Sequence, residues 1–277
     1  MDTTQKNTTP GRVFVVSAVL DIFENLGRTI LNFFAAAGRL FVFTGRSLYH
    51  CAAPPFFPRL LLRQVIDIGY YSLPVVGMTA LFAGMVLALQ SYIGFSRFSA
   101  EGAVATVVVL SMTRELAPVL GGLMVAGRIG ASIAAELGTM RVTEQIDALT
   151  TLSTNPYKYL IAPRLIAGTL MLPVLILIAD IIGVMGGYLV GVYKLGFTAQ
   201  NYLHKTWEFL MAEDVISGLW KAAAFGFIVT LMGCYHGFNS KRGAQGVGAA
   251  VTTAVVSASI LILITNYFMT QLFFAGK

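Results

Sequence analysis

A chain of 277 residues with 56% hydrophobic and only 12% charged side chains is not a soluble domain, because soluble domains carry about 25% charged residues. Its mean hydropathy of +0.75 and the length of its apolar runs point to membrane-spanning helices rather than barrel strands. The net charge of +6 is therefore read as topology and not as a nucleic-acid signal. Cys51 and Cys234 are the two cysteines and form no disulfide framework. The first residues, MDTTQKNTTPGR, lack the basic start of a secretory signal.

From Val13 to Phe43 the chain is apolar but interrupted. Asp21, Asn25, Arg28, Asn32 and Arg39 share one helical face, which predicts an amphipathic helix lying in the membrane interface. A tilted spanning helix is the alternative. Pro54, Pro55 and Pro58 end this segment, and Arg59 and Arg63 mark a surface position. The division expected is an N-terminal interfacial region, 1–63, and a transmembrane domain, 64–277.

Five spans follow. The first is expected over Ile68–Ile93, bent near its start by Pro74. The second covers Ala103–Gly127, and a short amphipathic piece, Arg141–Leu152, comes after it. The third, Leu165–Tyr193, holds Pro173, an acid at Asp180, and a ridge of Gly183, Gly187 and Gly191 suited to close helix contact. A polar link from Lys194 to Asp214 leads to the fourth span, Val215–Tyr235. A Gly-rich turn leads to the fifth, Ala249–Phe274. Tyr202, Trp207 and Phe209 are expected at the outer interface. Of the 19 Lys and Arg, 13 fall on the side holding the N-terminus and the Arg141–Leu152 piece, which makes that side cytoplasmic and the C-terminus external.

Chemistry is concentrated in one place. At about 1.5 Å of rise per residue, Arg114 and Glu115 lie near the bilayer midplane, where an ionisable side chain marks function or a partner. Being consecutive, they point in different directions and cannot simply pair with each other. Pro118 lacks an N–H and frees the carbonyl of Arg114, so a kink is expected at the charged pair. A structural ion pair that locks helices and a site for a charged amphiphile account for these residues equally well. Asp180 reads as a hydrogen-bonded structural acid. His50, His204 and His236 are scattered, so no metal site is expected. There is also no GxxxxGK[ST] loop for ATP.

The stretches RELAPVLGGLMVAGRIGASIAAELGTMRVTEQIDAL (Arg114–Leu149), NPYKYLIAPRLIAG (Asn155–Gly168), AGMVLALQSY (Ala83–Tyr92) and GGYLVGV (Gly186–Val192) carry a resemblance. With them the chain resembles the MlaE family, the permease subunits of MCE-type ABC transporters that move phospholipids. The likeness runs from about Arg59 to the C-terminus.

The resemblance implies an all-α permease of the bacterial inner membrane, working as a homodimer to maintain outer-membrane lipid asymmetry. It implies a cytoplasmic ATPase that carries the ATP, with no cofactor on this chain. An MCE-domain protein is expected on the periplasmic face, along with a small STAS-type cytoplasmic subunit. The lipid positions carried over are Leu87, Gly94, Phe95, Phe98, Arg114, Glu115 and Leu116. The ATPase-coupling positions are Arg141, Glu144, Gln145, Asp147 and Leu149. The rival class is an ion-coupled secondary transporter of an amphiphile, with Asp180 and Glu115 as proton sites. Five spans do not divide into the two halves such a carrier uses. An intramembrane enzyme is disfavoured, since no nucleophile–base set can be placed inside the spans.

Overall fold

The computed structural model describes residues 10–52, 54 and 57–274. Of the polar face named above, the side chains of Asp21 and Asn25 lie outside the described residues. The chain is 91% helical, with no strand among the described residues. It forms two compact units, one ending at Arg46 and the other beginning at Ser47.

Helix α1, Pro10–Ala52, is 43 residues long and carries all of the first unit's described residues. Within that unit, Arg28 pairs with Glu24 one turn away at 2.8 Å, and Arg28, Asn32 and Arg39 are all exposed. The helix stops at Ala52, just before the prolines that cannot continue it.

The second unit holds five helices long and apolar enough to cross a membrane: Pro58–Phe98, Glu101–Val142, Tyr157–Tyr193, Ala212–Phe238 and Ala244–Phe273. The first comprises α2, Pro58–Ile68, a short tight turn at Tyr70–Ser72, and α3, Leu73–Phe95. Pro74 falls in the first turn of α3, where its missing N–H has no partner to lose. It therefore starts a helix and does not bend one as expected.

The second span comprises α4, Val104–Ser111, α5, Ala117–Val125, and α6, Ala131–Val142. These are joined without a break by two widened helical turns, Met112–Leu116 and Ala126–Gly130. The helix runs on to Val142, past the expected end at Gly127. Its small-residue stretch stays inside the bundle because α6 packs on the fourth and fifth spans.

After a turn comes α7, Gln145–Thr151. The third span opens with a widened turn, Tyr157–Ile161, and continues as α8, Ala162–Tyr193. A short helix, α9, Ala199–Phe209, leads to α10, Ala212–Phe238, and then to α11, Ala244–Phe274.

Glycine sets the helix spacing. A Cβ added at Gly84 of α3 would collide with the carbonyl of Gly183 in α8, and one at Gly226 of α10 with the carbonyl of Gly168 in α8. These backbones touch, as lipid-embedded helices do when small residues meet. The Gly183–Gly191 ridge therefore packs inside the subunit. Gly183 faces Ala80 and Met112, Gly187 faces Val108, and Gly191 faces Tyr202.

Three cations counted in the charge balance of the two sides lie within helices. Arg128 donates to the carbonyl of Asp67 at 3.2 Å and to the hydroxyl of Ser72 at 2.7 Å. Arg164 is buried in the first turns of α8, and Lys221 is buried in α10. Such residues satisfy partners in the protein and carry no topological information.

Candidate functional site

The charged pair sits where the second span changes its hydrogen-bond register. Over Met112–Leu116 the helix widens, and the N–H of Ala117 donates to the carbonyl of Met112, five residues back. Pro118 follows immediately and cannot donate to the carbonyl of Arg114. That carbonyl accepts instead from Lys221 Nζ at 2.9 Å. The freed acceptor expected from the sequence is real, and a lysine from another span fills it.

Arg114 and Glu115 diverge as expected, and each finds its own partner. Arg114 reaches Asp214 at the start of α10, with Nε and Nη2 both 2.7 Å from the same carboxylate oxygen. The other oxygen of Asp214 accepts the backbone N–H of Met211 at 3.1 Å and so caps α10. Glu115 accepts from Lys221 at 2.6 Å and from Asn266 of α11 at 2.9 Å. The Thr270 hydroxyl lies 2.8 Å from the same Glu115 oxygen that faces Lys221.

Lys221 is 0% exposed. Its three N–H donors meet the Arg114 carbonyl, Glu115 and the Thr270 hydroxyl, which uses its full donor capacity. The cluster contains two cations and two anions, so it is neutral overall. A buried charge is tolerable when paired and hydrogen-bonded in this way. Gly218 of α10 permits the approach, because a Cβ there would strike the carbonyl of Thr113.

Burial is uneven. The side chains of Arg114 and Glu115 remain 35% and 36% exposed, while those of Asp214 and Lys221 are enclosed. The cluster is a brace with one partly open side that presents a guanidinium and a carboxylate.

The other lipid positions are elsewhere. Leu87 and Phe95 are half-buried on α3. Gly94 is exposed with nothing near it, and Phe98 is exposed just beyond the helix. Leu116 is half-buried beside the charged pair. Arg114 and Glu115 are held by side chains of the fourth and fifth spans.

The coupling positions cluster around a break in the chain. α6 ends at Val142, Glu144 takes a left-handed conformation with φ 59°, and α7 starts at Gln145. Arg141 pairs with Asp147 across this corner at 2.6 Å, and Glu144 lies 3.7 Å from Arg242. Ile146 is buried and Leu149 is half-buried, so the apolar side of α7 packs on the protein. Glu144, Gln145 and Asp147 are left exposed.

Asp180 differs from the expected hydrogen-bonded acid. It is 5% exposed, and neither carboxylate oxygen has a partner. It lines a cavity of about 350 Å³ with Val109, Ile181, Val184, Tyr202 and Trp207. Tyr202 is also buried rather than placed at the lipid interface, and burial pushes its phenol up to about 12. Trp207 and Phe209 are exposed.

Sequence reasoning missed four members of the charged cluster. From the sequence Asp214 ends a polar link, Lys221 falls within the fourth span, and Asn266 and Thr270 fall within the fifth. The available signal was spacing. Asp214 and Lys221 are seven residues apart on one helical face, as Asn266 and Thr270 are four apart.

Five helices long and apolar enough to cross a membrane, three of them tied by a paired charge cluster, define a multi-pass membrane protein. The sequence profile of the family described as Permease MlaE matches residues 61–272, and the chain belongs to that permease family. It is 59% identical over 256 residues to a probable ABC transporter permease protein of Rickettsia felis, covering 92% of this chain and 99% of the relative. It is 34% identical over 264 residues to the intermembrane phospholipid transport system permease protein MlaE of Haemophilus influenzae, covering 93% and 99%. It is 36% identical over 218 residues to Protein TRIGALACTOSYLDIACYLGLYCEROL 1 of Arabidopsis thaliana, covering 79% and 62%.

Proposed function

We propose that this chain is the membrane subunit of an ABC-type phospholipid transporter. It would move lipid between the inner membrane and a periplasmic MCE-domain partner, and so maintain the outer membrane. The observation that carries this reading is the partly open Arg114–Glu115 pair within a family whose Haemophilus influenzae relative is named for intermembrane phospholipid transport. The partly exposed guanidinium of Arg114 complements a phosphate-bearing head group, and Leu87, Phe95 and Leu116 offer apolar surface for the chains.

In this reading two copies form the pathway, and Gly94 and Phe98 contribute to its lipid-binding lining. A separate cytoplasmic ATPase binds and hydrolyses ATP and docks on Arg141, Glu144, Gln145, Asp147 and Leu149. A STAS-type subunit accompanies it. The N-terminus is cytoplasmic and the C-terminus periplasmic, with the interfacial region at 1–63 and the permease domain at 64–277.

The test is lipid crosslinking in membranes from a photoreactive residue placed at position 87 or 95, in a preparation whose ATPase co-purifies. Lipid adducts that fall with Arg114→Gln or Glu115→Gln are expected. No adduct at either position in the otherwise unmodified protein would sink the pathway. Transport by the chain alone, with no ATPase, would favour the ion-coupled alternative.

A further inference from the structure

A second cavity, polar and of about 300 Å³, lies at the end of the bundle where the second span gives way to the third. It is framed by α2, α6 and the start of α8, and it shares no residue with the Arg114 cluster. Arg164 forms part of its wall. This residue is 4% exposed, donates to the Leu160 carbonyl at 2.6 Å, and pairs with Glu136 at 2.9 Å, while its Nε has no partner. Glu136 is more than half exposed, so the carboxylate that neutralises the buried guanidinium keeps acceptor capacity open.

Across the cavity, α2 presents Arg63, 80% exposed, and Asp67. These two are 4.0 Å apart, a loose pair that leaves both charges available. Gln64 and Tyr159 add an amide and a hydroxyl to the lining. Beside this polar cup, Leu62 and Ile66 stand exposed on α2 one turn apart.

The charge pattern selects the ligand. A simple anion would meet two carboxylates, and a simple cation would meet two arginines. A ligand carrying an ammonium and a phosphate a few atoms apart answers both. The exposed apolar strip alongside is what the chains of such a ligand would cover. We propose that this cavity binds the head group of a zwitterionic, amine-bearing phospholipid at the membrane surface. The ammonium is placed between Glu136 and Asp67, the phosphate on Arg63 and the Tyr159 hydroxyl, and the acyl chains along Leu62 and Ile66. The site is separate from the transport pathway proposed above.

The test uses the full chain with its co-purifying partners in nanodiscs of phosphatidylethanolamine or of phosphatidylglycerol, with a photoreactive residue at position 140. Adducts should form with phosphatidylethanolamine and far less with phosphatidylglycerol. Asp67→Asn and Arg63→Gln alter exposed side chains and should leave melting unchanged. Each should cut the adduct by about tenfold, the loss of roughly one charge-assisted hydrogen bond. Soluble glycerophosphoethanolamine should compete in the unsubstituted protein, whereas inorganic phosphate should not.

Equal labelling of both lipids would overturn the proposal. So would competition by inorganic phosphate alone, which marks a free-anion site, or adducts only to another polypeptide, which mark a docking surface. Crosslinks from positions 87 and 95 report the pathway independently, so the two readings fail separately.

Discussion

Two acids within the spanning helices of this bundle are treated in opposite ways. Glu115 meets a lysine, an asparagine and a threonine hydroxyl drawn from the fourth and fifth spans. Asp180 sits in an apolar cavity with neither oxygen partnered. An ionised carboxylate needs compensation in a low-dielectric setting, and the neighbouring helices supply it to Glu115 and not to Asp180. The first ties helices together, and the second ties nothing. The contrast shows that an acid in an apolar run cannot be ranked by its own helix. Its role is set by what the neighbouring helices bring to it.

The largest effect should come from removing the centre of the paired cluster. Lys221→Met leaves Glu115 without its cation and the Arg114 carbonyl without its donor, and should cost about 3–5 kcal/mol of stability. Unfolding of the purified protein in detergent measures this. Adding Glu115→Gln should recover a large part of the loss, because the uncompensated charge is then gone. A single variant as stable as the parent would show that the cluster does not brace the spans.

Next in size is the glycine seam. Gly84→Leu drives a side chain into the Gly183 backbone, which cannot yield as a flexible side chain would. A loss of about 1–3 kcal/mol is expected from overpacking. Gly94→Ala is the control, since nothing lies near Gly94. If both substitutions lower the melting temperature equally, the contact between α3 and α8 is not what holds the first and third spans together.

A smaller effect, confined to alkaline pH, belongs to Tyr202. Its phenol is raised from an ordinary value near 10 to about 12, with burial as the cause. The unfolded chain therefore loses this proton first. The contribution of Tyr202 is fully present below pH 10 and is lost as pH rises from about 10 to 12. Melting across that window should fall less steeply in Tyr202→Phe, and identical slopes would refute the assignment.

The smallest effect is expected at Asp180. Asp180→Asn breaks no hydrogen bond, so stability should stay within about 0.5 kcal/mol of the parent. A large loss would reveal a partner, such as ordered water, and would erase the contrast with Glu115. Unchanged melting with altered transport would make Asp180 a functional proton site.

Much of this architecture can be read along the chain. The five spans follow from run length, the end of α1 from three prolines, and the unusual turn at Arg114 from a proline four residues on. The family follows from one continuous block. The seam between α3 and α8 was only half legible. Gly183, Gly187 and Gly191 announce a packing ridge, but nothing in that spacing says whether it meets Gly84 or a second copy of the chain.

What the sequence determined by itself is which residues must be buried in lipid or protein and which backbone groups lose their partners, because both depend on local chemistry. Composition put Arg114 and Glu115 at depth, and Pro118 freed a carbonyl. Only the tertiary structure decided that Lys221, 106 residues beyond Glu115, satisfies both that carboxylate and the carbonyl. It also decided that Asp180 receives no such partner. Compensation of a charge is a property of the space between helices, and that space is fixed by how closely glycine backbones let the spans approach.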